Sequence, residues 1–392
     1  MSYTNIQTDS ELAAFCARLP DARRIAFDTE FVSEHSYRPE LCLVQVAADD
    51  HLALIDPMAI ADMTPFWRAL AEPGHETIVH AGRGELEFSL AAIGSPPAGL
   101  FDVQIAAGLA GLEYPASYGN LIGRLLGEKP NKGETRTDWR RRPLTQRQID
   151  YALDDIRHLI PLRDALGRRL TDLDRADWLV EEMASWVEEV QRAVSNERWR
   201  RVSGNSGLSR RCLAVLRELW RWREAEAERR DCTARRVLRD DLLVELAKRQ
   251  TADPKRIQAV RGMERGDLNR QLPKLAEAIT RGLKIPENEC PAAGRPDNGP
   301  QLSVLGQFLF AALGSLCRER QLAPGLVGSP NDVRDLIAFR TGRGDMDRVP
   351  RLERGWRAQV AGQIIDDLVA GRLAVRIVAP ESDSPLAFEP RT

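Results

Sequence analysis

The sequence predicts an α/β domain, in which helices flank a mixed sheet, followed by two small all-α helical modules. Three observations carry this prediction. Short apolar runs alternate with helical periodicity over roughly the first 170 residues, as expected of a sheet covered by helices. From about residue 172 the pattern becomes helical and arginine-rich, without strand signals. A stretch rich in Pro, Gly and Asn at 286–300 then divides the helical part in two.

Length and composition place the chain among globular proteins of more than one domain. Its 392 residues favour two or three domains, and its 43% hydrophobic and 29% charged residues are ordinary values. No stretch of about eighteen apolar residues is present, and the N-terminus lacks the pattern of a signal peptide. Six cysteines without CxxC spacing favour free thiols in a reducing compartment over a disulfide framework or a zinc site. We therefore expect a cytoplasmic monomer with no membrane partner.

The first domain, predicted at 1–170, begins with a helix whose capping signature is Thr8 or Ser10 before Glu11. Its sheet follows at once, because short apolar runs are separated by polar turns. Strands are predicted at 25–27, 41–47, 51–56 and 77–80, and helices at about 8–19, 64–71, 85–93, 102–110, 117–126 and 145–170.

The remaining boundaries follow from changes in composition. Residues 171–207 are predicted as a connecting helical segment, 208–285 as a first helical module, 286–300 as a linker, and 301–378 as a second, divergent module. The tail at 379–392 is rich in Pro, Ser and Glu, so we expect it to be disordered.

Two acids follow the first strand. Asp28 and Glu30 are separated by one residue, so on an extended backbone their side chains point to the same face. Two neighbouring carboxylates repel unless a positive charge lies between them, and a hard divalent cation with oxygen ligands is the usual solution. The alternative is a chance Asp-x-Glu where a strand runs out into solvent.

A second acidic group lies on the helix predicted at the end of the domain. Tyr151 and Asp155 are four residues apart and share one helix face, whereas Asp154 lies about 100° away. Only one of these two acids can therefore face Tyr151. The alternative is an ordinary buried tyrosine that bonds a neighbouring carboxylate.

A third acidic position is expected in the middle of the domain. Glu85 comes just after a predicted strand, where an α/β sheet presents its ligands, although it could be only a favourable acid in a first helical turn. Glu87 lies about 200° around the helix from Glu85. Asp102 is more typical of a helix N-cap.

Arginines cluster just before the helix that carries Tyr151. They are Arg136, Arg140, Arg141, Arg142 and Arg147. Such a cluster can bind the phosphates of a single strand, or it can be a solvated surface loop.

These residues carry a family resemblance. The order is Asp28-x-Glu30, then His80-Ala-Gly-Arg-x-Glu85-Leu-Glu, then Phe101-Asp-x-Gln-x-Ala-Ala, then Arg136-Thr-Asp-Trp-x-x-Arg142-Pro-Leu-Thr-x-x-Gln148-x-x-Tyr151-Ala-x-x-Asp155. Together they resemble ribonuclease D, a family of 3′→5′ exonucleases with four acidic metal ligands and a tyrosine. The segment from Leu213 to Leu238 resembles the helical nucleic-acid-binding module shared by ribonuclease D and RecQ-type helicases, and 301–378 would be a weaker second copy.

The resemblance implies a ribonuclease H-like exonuclease fold and a function. The protein would be a 3′→5′ exoribonuclease that releases nucleoside 5′-monophosphates from single-stranded 3′ ends, such as those of tRNA precursors or other structured RNA. Two divalent ions, Mg²⁺ or Mn²⁺, would serve it: Asp28, Glu30 and Asp155 would hold the ion beside the attacking water, and Asp28 with Glu85 the other. Tyr151 would orient that water. Substrate contacts are implied for Thr29, Phe31, Gln45, His80, Arg136, Arg140 and Arg142.

One residue departs from the family pattern. The third acid is normally Asp, and this sequence has Glu85, whose extra methylene moves the carboxylate although metal sites hold their ligand distances to about ±0.2 Å. Two alternatives therefore stay open. One is a 3′→5′ DNA exonuclease, because this catalytic fold serves both polymers. The other is an RNA-binding protein whose site is impaired by Glu85.

Overall fold

The computed structural model describes residues 2–129, 137–292, 299–343, 349–382 and 385–390. The chain divides into two compact units. The first comprises Met1–Glu30, Cys42–Gln191 and Asn298–Thr392, and the second comprises Phe31–Leu41 and Arg192–Asp297. Across the described part of the chain, no helix is both long and apolar enough to cross a membrane.

A mixed sheet of six strands forms the centre of the first unit. The strands are β1 (Thr4–Ile6), β2 (Arg24–Val32), β3 (Glu40–Ala48), β4 (His51–Ile55), β5 (Glu76–Val79) and β6 (Leu100–Asp102), in the spatial order β1-β4-β3-β2-β5-β6. β3 and β4 are antiparallel, whereas β2–β5, β5–β6 and β1–β4 are parallel. The four predicted strands are confirmed. β1 and β6 were missed because three residues are too few to show a period.

Among the described residues, eight helices precede the arginine-rich part of the chain. They are α1 (Asp9–Cys16), α2 (Thr64–Ala71), α3 (Arg83–Ile93), α4 (Val103–Leu109), α5 (Tyr118–Leu121), α6 (Gln146–Arg157), α7 (Leu159–Asp172) and α8 (Ala176–Ser195), with a 3₁₀ turn at Leu19–Asp21 and a π-helical turn at Ile122–Leu126. The predicted capping box of α1 is present, since Thr8 accepts from the amide of Glu11 and the Glu11 side chain returns to Thr8.

The sheet is covered on both faces, and alternation along β2 decides which residue meets which helix. Phe27 packs edge-on against Phe66 and Trp67 of α2. Its neighbour Ala26 points the other way, into a core that also contains Ile156 at the end of α6 and residues of α7. Asp28, two residues after Ala26, therefore lies on the face that α6 covers.

The second unit is helical and has its own apolar core. It contains α9 (Arg210–Arg229), α10 (Ala234–Val237), α11 (Asp240–Arg249), α12 (Pro254–Gln258), α13 (Gly266–Asn269) and α14 (Leu272–Lys284), with 3₁₀ turns at Arg198–Arg201 and Glu287–Glu289. α9 and α14 pack together, and Trp222 on α9 is buried in this core.

The C-terminal part of the first unit is mainly helical. It contains α15 (Gly299–Glu319), α16 (Pro324–Val327), α17 (Pro330–Arg340), α18 (Gly355–Arg357) and α19 (Gln363–Val369), then a hairpin of β7 (Leu373–Ile377) and β8 (Leu386–Pro390), with a 3₁₀ turn at Arg351–Glu353 and a π-helical turn at Ala358–Gly362. The prediction of a disordered tail at 379–392 was wrong for β8. The cause is pairing across the hairpin, where Arg376 binds Glu389, which composition alone does not reveal.

Buried polar contacts join this C-terminal part to α8 within the first unit. Arg357 binds both carboxylate oxygens of Glu182, and all three of its guanidinium nitrogens are used, because it also donates to two backbone carbonyls of α16. Trp356 donates its indole N–H to the same carboxylate at 3.0 Å and stacks on Trp178. The predicted domain boundaries remain proposals, but 301–378 shares a compact unit and a core with the α/β domain.

Candidate active site

Three carboxylates meet at the end of β2. Asp28 and Glu30 project from β2 and Asp155 from α6, and one oxygen from each lies within 4.8 Å of the others. The i, i+2 spacing on a strand and the packing of α6 over that face bring them together. All three are partly buried. A hard divalent cation suits such a set, because all its donors are carboxylate oxygens.

The helix α6 presents Tyr151 and Asp155 as its periodicity predicted. Thr145 and Gln148 form a capping box, so the helix begins at Gln146, five residues before Tyr151. Tyr151 and Asp155 are hydrogen-bonded to each other. Asp154 instead lies 2.6 Å from Arg157, so Asp155 is the acid that faces the tyrosine.

Burial and mutual repulsion make these acids hard to ionise when no cation is bound. Burial, with the charges of Glu85, Asp155 and Glu30, raises the pKa of Asp28 well above its usual range. Burial, with the charges of Asp155 and Glu85, raises the pKa of Glu30 to about 8. Burial raises the pKa of Asp155 to about 7, against the opposing effect of the Tyr151 hydrogen bond. A bound cation would relieve this cost, and the cluster therefore fits a metal ion.

Glu85 lies beside this cluster but is not one of the three converging acids. It is 6% exposed, at the start of α3, and accepts a 2.6 Å hydrogen bond from the Thr29 hydroxyl. This bond fixes the direction of the Glu85 carboxylate. Its negative charge nevertheless contributes to the raised pKa of Asp28.

The competing acids near Glu85 have other partners. Asp102 caps α4 by accepting from the amides of Gln104 and Ile105, as predicted, and it also binds the amides of Ala81 and Gly82. Glu87 pairs with Arg83 at 3.1 Å.

Tyr151 is held from its other side by a buried tryptophan. The rings of Trp139 and Tyr151 lie 6.1 Å apart, and Trp139 is 3% exposed. Burial, followed by the charges of Asp155 and Glu30, raises the pKa of Tyr151 far above its usual range. The hydroxyl is therefore protonated at neutral pH and can act only as a neutral donor or acceptor.

The sequence predicts a substrate contact for Arg142, but its guanidinium is occupied within the protein. Its guanidinium donates to both oxygens of Asp56 at 2.6 and 2.7 Å, and to the carbonyls of Cys42, Trp139 and Arg141. All five N–H donors are thus used within the protein. The arginine ties the segment before α6 to the strands β3 and β4.

Three other residues predicted to contact the substrate are buried or hydrogen-bonded within the protein. Gln45 is fully buried on β3 and cannot touch a substrate. The hydroxyl of Thr29 serves Glu85. His80 donates from Nε2 to the carbonyl of Ala116 at 3.0 Å. Each of these residue types can either contact a substrate or form an internal hydrogen bond, and the sequence alone does not distinguish the two roles.

The last three predicted contacts stay predictions. Arg140 binds both oxygens of Asp138 on a half-exposed loop. Phe31 is 40% exposed. Arg136 lies outside the described residues.

Sequence reasoning missed two aromatic residues around the site. Trp139 stands within the quoted motif, three residues before Arg142, but nothing local indicated its contact with Tyr151. Tyr118 has its hydroxyl against the backbone of α6 and its ring 5.5 Å from that of His80. The spacing of 33 residues between Tyr118 and Tyr151 carries no periodic signal that could have found this.

The chain is similar to known nucleases over most of its length. A 3′-5′ exonuclease family model matches residues 3–171, and an HRDC domain model matches residues 213–279. The ribonuclease D of Acidiphilium cryptum is 34% identical over 94% of both chains, and that of Zymomonas mobilis is 35% identical over 94% of this chain and 95% of its own. The crystal structure of Escherichia coli RNase D, described as an exoribonuclease involved in structured RNA processing, superposes with a TM-score of 0.82 at 26% identity, covering 95% of this chain and 99% of that one.

Proposed function

The chain belongs to the ribonuclease D family, and on that basis we propose that it is a metal-dependent 3′→5′ exoribonuclease. It removes nucleoside 5′-monophosphates from single-stranded 3′ ends of RNA, including those of tRNA precursors and other structured RNAs. The observation that carries this proposal is the convergence of Asp28, Glu30 and Asp155 beside the hydroxyl of Tyr151.

Two divalent ions, Mg²⁺ or Mn²⁺, are the proposed cofactors. Asp28, Glu30 and Asp155 would hold one, and Asp28 with Glu85 the other. When bound, such ions lower the pKa of an attacking water and stabilise charge on the leaving 3′ oxygen. The raised pKa values of Glu30 and Asp155 mean that ion binding displaces protons, so affinity for the ions should rise with pH through about 7 to 8.

Tyr151 has a positioning role in this proposal. Because its hydroxyl stays protonated, it is not a general base. It is anchored by Asp155 on one side and packed against Trp139 on the other, so its direction is fixed before substrate arrives. A fixed hydroxyl can orient the attacking water by a hydrogen bond.

The helical second unit is proposed to hold RNA. Residues 213–279 match the HRDC model, and the predicted module at 208–285 encloses them. Several arginines on its surface are paired with acids, for example Arg229 and Arg230 with Glu226, which lowers the pKa of that acid to about 2. RNA contacts are therefore expected from the arginines outside such pairs.

The test is degradation of 5′-labelled single-stranded RNA with Mg²⁺, Mn²⁺ or EDTA. We expect stepwise shortening from the 3′ end that needs the metal and is abolished by Asp28→Asn. A matched DNA strand distinguishes the DNA exonuclease, which would shorten it at least as fast.

A parallel arm addresses the substitution at the third acidic position. Cleavage by the wild type would mean that Glu85 supports catalysis. If the wild type binds RNA but does not cleave it, and Glu85→Asp restores cleavage, the natural role is RNA binding by an impaired site. Failure of every variant would refute the nuclease proposal.

A further inference from the structure

Helices α6 and α7 are separated by a break that lies next to the acidic cluster. α6 ends at Arg157 and α7 begins at Leu159. In a continuous helix the amide of His158 would donate to the carbonyl of Asp154, four residues earlier. Here the Tyr118 hydroxyl lies between these two groups: it donates to the Asp154 carbonyl at 3.2 Å and accepts from the His158 amide at 3.3 Å.

Tyr118 is itself held in place from outside α6. Its ring lies 5.5 Å from that of His80, and the His80 Nε2 donates to the carbonyl of Ala116. A side chain inserted into the hydrogen-bond ladder is an established cause of a helix kink. Pro161, in the first turn of α7, has no N–H to donate to the Arg157 carbonyl, so the sequence itself interrupts the helix here. The Tyr118 hydroxyl bridges this break from the end of β5 and the start of α5.

Asp155 lies within the turn that Tyr118 interrupts, directly after the residue whose carbonyl the hydroxyl binds. A shift of this turn would move the Asp155 carboxylate relative to Asp28 and Glu30, with which it converges within 4.8 Å. Ligands of a metal site must be held close to their binding geometry before the ion arrives.

We propose that Tyr118 is a positioning residue of the metal site: by occupying the break between α6 and α7, its hydroxyl fixes the direction of Asp155. It acts through the backbone of α6, and its hydroxyl binds no carboxylate oxygen in the described part of the chain. This inference rests on the proposed function of the same site.

The decisive variant is Tyr118→Phe, which keeps the ring beside His80 and removes only the hydroxyl. We expect Mn²⁺ affinity, measured by electron paramagnetic resonance without substrate, to fall about 10- to 100-fold. In RNA trimming, the half-saturating Mg²⁺ concentration should rise similarly, while KM for RNA is unchanged and excess Mg²⁺ restores most of the turnover. Amide exchange in residues 154–159 should change as well.

Tyr114→Phe is the matched control, since Tyr114 is also partly buried in the first unit and has no hydroxyl hydrogen bond among the described residues. A double-mutant cycle adds specificity: in an Asp155→Asn background, Tyr118→Phe should have little further effect on Mn²⁺ affinity. If Tyr118→Phe is folded too weakly to assay, His80→Gln, which loosens the ring, should give the same loss to a smaller extent.

Two outcomes distinguish failure of the Tyr118 proposal from failure of the proposed function. The first applies when the wild type trims RNA and binds Mn²⁺. The role of Tyr118 is then overturned if folded Tyr118→Phe has unchanged Mn²⁺ affinity, or if the substitution lowers the affinity equally in the wild-type and Asp155→Asn backgrounds. A wild type that neither binds Mn²⁺ nor trims RNA would overturn the proposed function instead.

Discussion

Arg142 has two possible roles that an experiment can distinguish. The structure indicates a clamp, meaning that its guanidinium holds Asp56 and the neighbouring backbone together, whereas the sequence predicted a contact with a substrate phosphate. The change is Arg142→Met, which keeps much of the side-chain volume and removes all five hydrogen bonds. It leaves Asp56, whose side chain is only 7% exposed, without its charge partner. Breaking a buried pair in this way costs about 3–5 kcal/mol. Arg142 itself is 25% exposed, so water compensates in part and about 3 kcal/mol of stability should be lost.

Two measurements distinguish the interpretations. For the clamp, thermal unfolding should show Tm lowered by roughly 5–10 °C. Because Arg142 also binds the carbonyl of Trp139, which packs on Tyr151, kcat should fall while KM for RNA stays the same. A phosphate contact predicts the reverse: an unchanged Tm, a higher KM, and a salt dependence of RNA binding reduced by about one ion.

The neighbouring Arg141 provides the control. Its side chain is 84% exposed and its nearest acid is 3.9 Å away, so Arg141→Met should leave both Tm and kcat nearly unchanged. Arg142→Met should also cost much less in an Asp56→Asn background, because the buried charge is then already gone. An unchanged Tm in Arg142→Met, together with a weaker salt dependence, would refute the clamp.

Three further predictions use the same assays. In EDTA, Tm should fall as pH rises from about 4.5 to about 8. The reason is that folding raises the pKa of Glu30 and Asp155, so the unfolded chain loses these protons at lower pH than the folded chain. Glu30→Gln should flatten the dependence of Tm on pH, and a flat dependence in the wild type would contradict the prediction. Gln45→Met should raise the free energy of unfolding by about 1 kcal/mol or more, because the buried amide of Gln45 has no hydrogen-bond partner among the described residues. A lower Tm in this variant would show that the amide does have a partner. Tyr151→Phe should lower kcat far more than it weakens RNA binding, and equal losses would exclude a positioning role.

The part of the site that the sequence predicted is the part built from local periodicity. Asp28 and Glu30 share a face because strand side chains alternate, and Tyr151 and Asp155 share a face because a helix repeats every 3.6 residues. These rules act over two to four residues, so no knowledge of the fold is needed. The choice of Asp155 over Asp154 followed from the same rule, and the Arg157 pair explains where the rejected acid goes.

The fold class was predictable for a similar reason, but its small elements were not. Apolar runs mark β2, β3 and β4, whereas β1, β6 and the hairpin β7–β8 depend on the strands beside them. A strand such as β8 is made by its partner: Phe388 lies opposite Val375, and Glu389 binds Arg376. Composition describes such a segment as a tail because composition has no access to pairing.

The roles of polar side chains near the site were the least predictable feature, and the cause is the distance between partners along the chain. An arginine before α6 is equally suited to a phosphate and to a buried carboxylate, and the partner that decides, Asp56, is 86 residues away. The same holds for Glu85, whose extra methylene would be a simple defect if the carboxylate pointed freely into the cluster. Its 2.6 Å bond to Thr29 gives it a fixed position, with its charge still acting on Asp28. Glu85→Asp removes a methylene and so draws the carboxylate away from the Thr29 hydroxyl. The substitution therefore tests the hydrogen bond to Thr29 as well as the length of the side chain.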